Sequence, residues 1–419
     1  MIFIPFIFFS LLTIYLWKKH KYLDMCIYMT LLYTFTTLCA IPLVLFDMLG
    51  AGGVLFDNSD IELNIIPTLI FCVVIGLCIM PFSMVYTKEI KEITPPMPFV
   101  LEGVSWFLIV VSLLNLYIVA DSTMDILQGD LEAVRQAHYE GLMTPAEIKV
   151  SSMPFVVQFM YYFNTSTLLC LPLFFYHLCF NKRPVWYLAL LFFASLSSPI
   201  AGIQTVDRTE IMFYSMMFLL CLLFFYPHLS KKLRRISITF SIFFASLFLV
   251  YIIAVSQARF SERSGGAETS ALQYTGQGYL NFCFFWENGK FEELASEREF
   301  PFINHYLLKQ DSNSSRRDER SGKEGFFISV FPTFVGDVLL DLTPIGMFIW
   351  ISVYFIICMI VIQRPHRSIY SIGDILMLFC LSITPVFGIF YYKLFHFTHT
   401  FMEGLCFLVF VLSKIRIKI

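Results

Sequence analysis

Arg208 lies in the segment QTVDRTE (Gln204 to Glu210), between Asp207 and Glu210, and Arg259 and Arg263 stand four residues apart in QARFSER. A guanidinium is planar, stays charged and donates two parallel hydrogen bonds, which suits it to clamp an anion and phosphate above all. The alternatives are structural: Arg208 paired with Asp207 or Glu210, and the Arg259/Arg263 pair balanced by Glu262 and Glu268, since like charges four apart on a helix need compensation. His396, His399 and Glu403 follow at spacings of 3 and 4, one stripe of one helix. They could serve as a general base, an ordinary imidazole titrating near ~6.5. Metal binding would need donors from elsewhere, because three ligands on a single helix are poorly placed around one ion. The remaining reading is a polar face lining the protein interior. Asp337 and Asp341, four residues apart, and His305 add further candidate bases, with solvated loop groups as the alternative. Tyr274 and Tyr279 sit among Gly265, Gly266, Gly276 and Gly278. The glycines read as turn markers, and aromatic rings on a loose backbone suit sugar stacking.

The elements that must position these groups are membrane spans. Of 419 residues, 58% are hydrophobic and only 14% charged, and the mean hydropathy is +0.72. Soluble domains carry about 25% charged residues, so a soluble enzyme with a single anchor is excluded. Phosphate loops, GxGxxG turns, HExxH and paired CxxC motifs are absent from the sequence. A net charge of −2 with scattered cations gives no footprint for nucleic acid. Of the 11 cysteines only Cys283 falls in a polar stretch, which argues against a disulfide framework.

Apolar runs of spanning length fall at about residues 2–17, 25–49, 65–86, 99–120, 155–180, 185–203, 211–226, 236–255, 345–362, 369–390 and 394–412, eleven in all. The first lacks a basic leader and a small-residue cleavage site, so it reads as a span rather than a signal peptide. Five short inter-span segments and the tail after the last span hold 16 of the 29 Lys and Arg residues. With those segments cytoplasmic, the N-terminus is outside and the C-terminus inside. The whole chain, 1–419, then forms a single integral membrane domain with two outer polar segments. In the first, 121–152, Met124, Leu127, Leu131 and Val134 predict a short amphipathic helix. The second, 258–342, reads as a large outer loop whose last part, 326–342, is too interrupted by Pro332, Gly336, Asp337 and Asp341 for a clean span. A charge held in the bilayer costs at least ~2.5 to 3.5 kcal/mol, so ionisable residues at this outer boundary are the functional candidates. Glu102, near the cytoplasmic end of the fourth run, is expected to be exposed or paired.

This pattern resembles the bacterial Wzy-type polysaccharide repeat-unit polymerases, which make O-antigen or capsule. The resemblance rests on the eleven spans in a Phe-rich and Leu-rich body, Asp207 and Arg208 at the start of a late span, Arg259 and Arg263 at the exit of the next, the large outer loop with Tyr274, and GDVLLDLTPIG (Gly336 to Gly346) leading into the following span. The residue-level match covers about 140 positions. None of Arg208, Arg259 and Arg263 is followed by Gly eleven positions on, so the Arg-x10-Gly motifs of some members are missing. The resemblance implies an all-α polytopic fold of the C-type glycosyltransferase kind. It implies transfer of a growing glycan from undecaprenyl pyrophosphate to a lipid-linked repeat unit at the outer face of the inner membrane, without metal or other cofactor, with a chain-length regulator protein as a possible partner. Arg208, Arg259 and Arg263 would then hold the diphosphate, Tyr274 and Tyr279 the glycan, and the base would come from His305, Asp337, His396, His399 or Glu403. A lipid-linked oligosaccharide flippase or other transporter, and an O-antigen ligase, are the competing readings.

Overall fold

The computed structural model describes residues 1–46, 48, 63–95, 97–128, 144–202, 208–239, 241, 242, 246, 250, 266–291, 328, 331–395 and 397–415. Among the described residues the chain is all-α, apart from one short parallel strand pair. Among the described residues five helical stretches are long and apolar enough to cross a membrane: Met25–Leu45, Ile65–Glu89, Phe99–Ala120, Thr209–His228 and Thr333–Ile362. Their outward faces match a lipid solvent. On the first helix Phe3, Ile7, Leu11 and Ile14 form an exposed stripe at helical spacing while Phe9 and Leu16 are buried, the reverse of the polar outer face of a helix in water. This is the build of a multi-pass membrane protein.

The described residues cluster as two compact units. The first comprises Met1–Tyr86, Arg259–His366 and Leu381–His396. Its helices are α1 (Phe3–His20), α2 (Met25–Leu45) and α3 (Ile65–Ile79), which runs on into a 3-10 turn at Met80–Met84. α1 and α2 are joined by a tight reversal: Lys21 takes a left-handed conformation, with its N–H on Trp17 O at 2.8 Å, and Asp24 caps α2 by accepting from Ile27 N at 3.1 Å. The segment read from sequence as the large outer loop holds a 23-residue helix, Gly266–Asn288, packed on α2. Gly276 explains the fit, since a Cβ there would stand 2.6 Å from the carbonyl carbon of Cys39. The glycine therefore marks a close approach of two helix backbones rather than a turn. Gln273, Gln277 and Asn281, one turn apart on this helix, are buried. Gln273 Nε2 donates to Met48 O at 2.5 Å and Asn281 Nδ2 to Phe331 O at 3.1 Å.

The stretch read as too interrupted for a clean span is helical from Thr333. Thr333–Ile362 is one helical run broken at Thr343, whose φ of 63° and ψ of 170° interrupt the ladder just before Pro344. Residues 333–342 are wholly buried, whereas Ile345, Ile349, Val353, Ile356 and Ile360 beyond the break are exposed.

The second unit comprises Thr87–Ala258, Arg367–Cys380 and Phe397–Ile419. The 31-residue helix Pro98–Gln128 takes in the beginning of the expected first outer segment, and residues 129–143, where the amphipathic helix was expected to continue, lie outside the described residues. Two further expected spans are divided. The first becomes Phe155–Tyr161, a 3-10 stretch Asn164–Leu169, and Cys170–Cys179; the second becomes Val185–Ser195 and Ser197–Ala201. Buried polar side chains tie these pieces together, with Asn115 Nδ2 donating to Ser197 O at 3.1 Å and Ser197 Oγ to Thr167 Oγ1 at 2.9 Å. Glu102 is paired with Arg183.

Strands β1 (Glu92–Thr94) and β2 (Ile369–Ser371) pair in parallel, with Ile93 opposite Tyr370. Immediately after β2, Ser371 and Asp374 cap the helix Ile372–Phe387 reciprocally, Ser371 N donating to Asp374 Oδ2 at 2.9 Å and Asp374 N to Ser371 Oγ at 3.1 Å. The same buried carboxylate accepts from Arg367 at 2.6 Å and from Lys414 at 2.5 Å. Replacing it removes the cap and strands the largely buried Arg367, while Lys414 can turn to solvent. Asp374→Ala is therefore expected to cost about 3 kcal/mol, and Asp374→Asn, which keeps an acceptor for the cap, less. Thermal midpoints of the three proteins in detergent check this order.

Candidate functional site

The carboxylates of residues 337 and 341 are not solvated loop groups. Asp337 is 1% and Asp341 5% exposed. Both lie in the buried half-helix that opens at Thr333, one turn apart on the same side. Backbone bonds hold the start of this helix against the stretch 388–392. Thr333 N donates to Phe390 O at 3.0 Å and Phe334 N to Gly388 O at 2.8 Å, which satisfies two first-turn amides that have no partner inside the helix. A third bond runs the other way, from Tyr392 N to Asp337 Oδ2 at 2.7 Å. Asp337 is thereby fixed beside the residue preceding Lys393, itself only 4% exposed. Asp337 and the backbone next to Lys393 thus share one buried neighbourhood of the first unit, Asp341 lies one turn along the same half-helix, and the Lys393 ammonium stands 5.8 Å from the centroid of the Tyr391 ring.

Aromatic rings border this neighbourhood. Phe331, two residues before the half-helix, contacts Tyr274 with ring centroids 5.3 Å apart and stacks on Tyr391 at 5.8 Å with planes 22° apart. All three rings are half-buried. Trp350 closes the other flank against Tyr392, with centroids 5.6 Å apart. Carboxylates, an ammonium and partly open rings are the chemistry needed to take a proton from a sugar hydroxyl, offset negative charge, and bind a pyranose face.

Of the residues singled out from sequence, the structure joins Asp337 and Tyr274 through Phe331 and the 390–392 stretch. Tyr279 has another role. It is 3% exposed, its ring lies 5.2 Å from that of Phe71, and its hydroxyl shares a 2.8 Å hydrogen bond with Thr68. A sugar has no open face of this ring to lie on, so the stacking expected of Tyr279 is corrected to core packing.

His399 and Glu403 belong to the second unit, on the helix Phe397–Lys414. His399 is buried and Glu403 half-buried. The preceding residue, Thr398, receives a 2.8 Å hydrogen bond from Thr165, and Phe401 stacks on Tyr162 with planes 9° apart. Arg208 opens the helix Arg208–Phe225, also in the second unit, and its side chain is outside the described residues. So are His305, His396, Arg259 and Arg263.

Three members of the neighbourhood were not singled out from sequence: Lys393, Phe331 and Tyr391. For Lys393 a signal existed, a lone cation in the short connection between two apolar runs. The two rings are lost among 48 Phe and 21 Tyr residues.

A search against protein-family models finds no match to the chain, and comparisons with curated proteins and with solved structures find none either.

Proposed function

We propose that this protein is a polytopic glycosyltransferase that polymerises oligosaccharide repeat units carried on undecaprenyl pyrophosphate into O-antigen or capsule. The reaction takes place at the outer face of the bacterial inner membrane, in a C-type fold of about eleven spans with the N-terminus outside and the C-terminus cytoplasmic. The observation that carries the reading is the buried pair Asp337 and Asp341 on one half-helix, with Asp337 held to the 390–392 stretch beside the half-buried rings of Tyr274, Phe331 and Tyr391.

In this reading Asp337 accepts the proton of the acceptor hydroxyl. The freed oxygen forms the new bond to the anomeric carbon as the bond from that carbon to the lipid diphosphate breaks, and the diphosphate leaves with the electron pair. Cations offset its growing charge, with Arg208, Arg259 and Arg263 assigned to that task by their place at the outer rim. His305, His396, His399 and Glu403 are the alternative bases. Tyr274 binds the glycan, and a chain-length regulator protein is the expected partner.

One observation favours a flippase or other transporter instead: the break at Thr343 puts two carboxylates on a buried half-helix, and discontinuous helices of this kind form the substrate sites of many transporters. Deleting the gene and resolving the surface polysaccharide by electrophoresis separates the readings. Polymerisation predicts single repeat units on the acceptor, ligation predicts no glycan transferred, and flipping predicts loss of export. Long chains retained in the deletion strain sink the proposal.

Within the polymerase reading the two tyrosines part company. Losing one ring contact worth ~1 kcal/mol lowers the rate about fivefold, so Tyr274→Ala is expected to reduce long polymer by about that factor. Tyr279→Phe is expected to keep polymer length and cost only about 1 kcal/mol of stability, through loss of the bond to Thr68.

A further inference from the structure

The turn between α1 and α2 holds a second cluster, far in sequence from the residues assigned to the chemistry. His20, Asp24 and Cys26 are all buried, and one ligand atom of each lies within 4.8 Å of the others. The tautomer of His20 follows from its neighbours. Its Nε2 is 3.0 Å from Ser83 O, and a backbone carbonyl only accepts, so Nε2 carries its hydrogen. In the neutral ring Nδ1 then presents a lone pair, and it directly contacts Asp24 Oδ2, another acceptor. Two acceptors in contact in a buried site need a positive charge there, which either a proton on Nδ1 or a bound metal ion supplies. Cys26 Sγ, 3.1 Å from Asp24 Oδ1, supplies a third donor on the same side.

From this geometry we propose that His20 Nδ1, Asp24 Oδ2 and Cys26 Sγ bind a divalent transition metal ion, zinc foremost. Imidazole, carboxylate and thiolate together suit zinc, and three protein ligands leave the fourth tetrahedral position open. Binding releases the Cys26 proton, so that two negative ligands offset the ion's charge, with the Lys19 ammonium on the same Ser83 carbonyl at 3.3 Å as the remaining nearby cation. The N–H···O=C bond from His20 to Ser83 is the outer-shell support that metal-ligating histidines usually have. Tyr86 adds to it by stacking on the imidazole at 4.5 Å with planes 3° apart, and His366 stacks on the far face of Tyr86 at 4.0 Å. The ion would clip the end of α1, the start of α2 and the 3-10 turn Met80–Met84 to one another.

The test is the metal content of the full-length protein purified in detergent after growth with added zinc, measured by mass spectrometry. The expected result is about one zinc per chain, falling at least about tenfold in Cys26→Ser and in Asp24→Asn. Asn retains an acceptor for the cap of α2, so Asp24→Asn separates ligand loss from loss of the helix start. Chelation is expected to lower the thermal midpoint of the wild type. A wild-type protein that carries no zinc and takes none from solution, as read by competition with a colorimetric chelator, overturns the proposal and leaves a proton as the shared cation. Full zinc content in both variants overturns it equally. Should neither variant fold, zinc content and chelator sensitivity of the wild type decide alone.

Discussion

Asp337→Asn is expected to abolish detectable polymer while leaving the protein at its normal level in the membrane. The side-chain oxygen of Asn still accepts the amide of Tyr392, a 2.7 Å bond in the wild type, so the contact that positions the 390–392 stretch survives. What disappears is the negative charge and with it the capacity to take a proton. Loss of a general base slows a reaction by about 10²- to 10⁴-fold, enough to reduce surface polysaccharide to single repeat units on a gel. Asp341→Asn, one turn along the half-helix, gives the comparison. If Asp337 is the base, Asp341→Asn retains partial activity and Asp337→Asn does not. Near wild-type chain lengths in Asp337→Asn would remove this residue from the chemistry.

A loss of stability as large as that of Asp374→Ala is expected from Gly276→Ala. Its Cβ would lie 2.6 Å from both the carbonyl carbon and oxygen of Cys39 and 2.7 Å from Ala40 N. These are backbone atoms of α2, which cannot rotate aside as a side chain would, so the helix Gly266–Asn288 must back away along the contact. That opens the packing of Phe71 against Tyr279 and Phe282, whose ring centroids are 5.2 and 5.5 Å from it. Overpacking costs typically 1 to 3 kcal/mol, and an obstacle made of backbone belongs at the upper end, about 3 kcal/mol. Gly103→Ala is the control. A Cβ there meets nothing within 4 Å, and alanine gains up to ~1 kcal/mol of helix propensity over glycine. Detergent-solubilised yield and thermal midpoint are expected to fall for the first variant and to hold or rise for the second.

The sequence exposes what the bilayer selects and hides what the protein interior selects. Lipid-facing helices such as Met25–Leu45 and Ile65–Glu89 are legible because their outer faces must be apolar along their whole length. That Glu102 is exposed or paired was legible for a related reason, its place near a span end, and it is in fact half-exposed and paired with Arg183. The helix Gly266–Asn288 was not. One of its faces is buried against protein, so Gln273, Gln277 and Asn281 find partners or burial there, and Gly276 and Gly278 serve close packing. Hydropathy reads such a helix as a loop. The interrupted stretch before Ile345 misled in the same way, Asp337 and Asp341 being tolerated inside the helix Thr333–Ile362 because the half-helix is buried in protein rather than lipid. Nor could spacing place Asp337 beside Tyr392, 55 residues away, because that contact depends on the docking of two segments.

The parallel pair of β1 and β2 has a consequence in time. Glu92–Thr94 is synthesised early and its partner Ile369–Ser371 more than 270 residues later, followed by Asp374 and finally Lys414, whose ion pair closes the same corner. The early strand must wait, its pairing edge unfilled, until most of the chain has left the ribosome. Contacts so distant along the chain form slowly, and an unpaired edge is exposed to wrong partners meanwhile. A stop codon shortly before residue 367 would therefore yield not a smaller working protein but a chain held at the waiting stage, a substrate for membrane quality-control proteolysis.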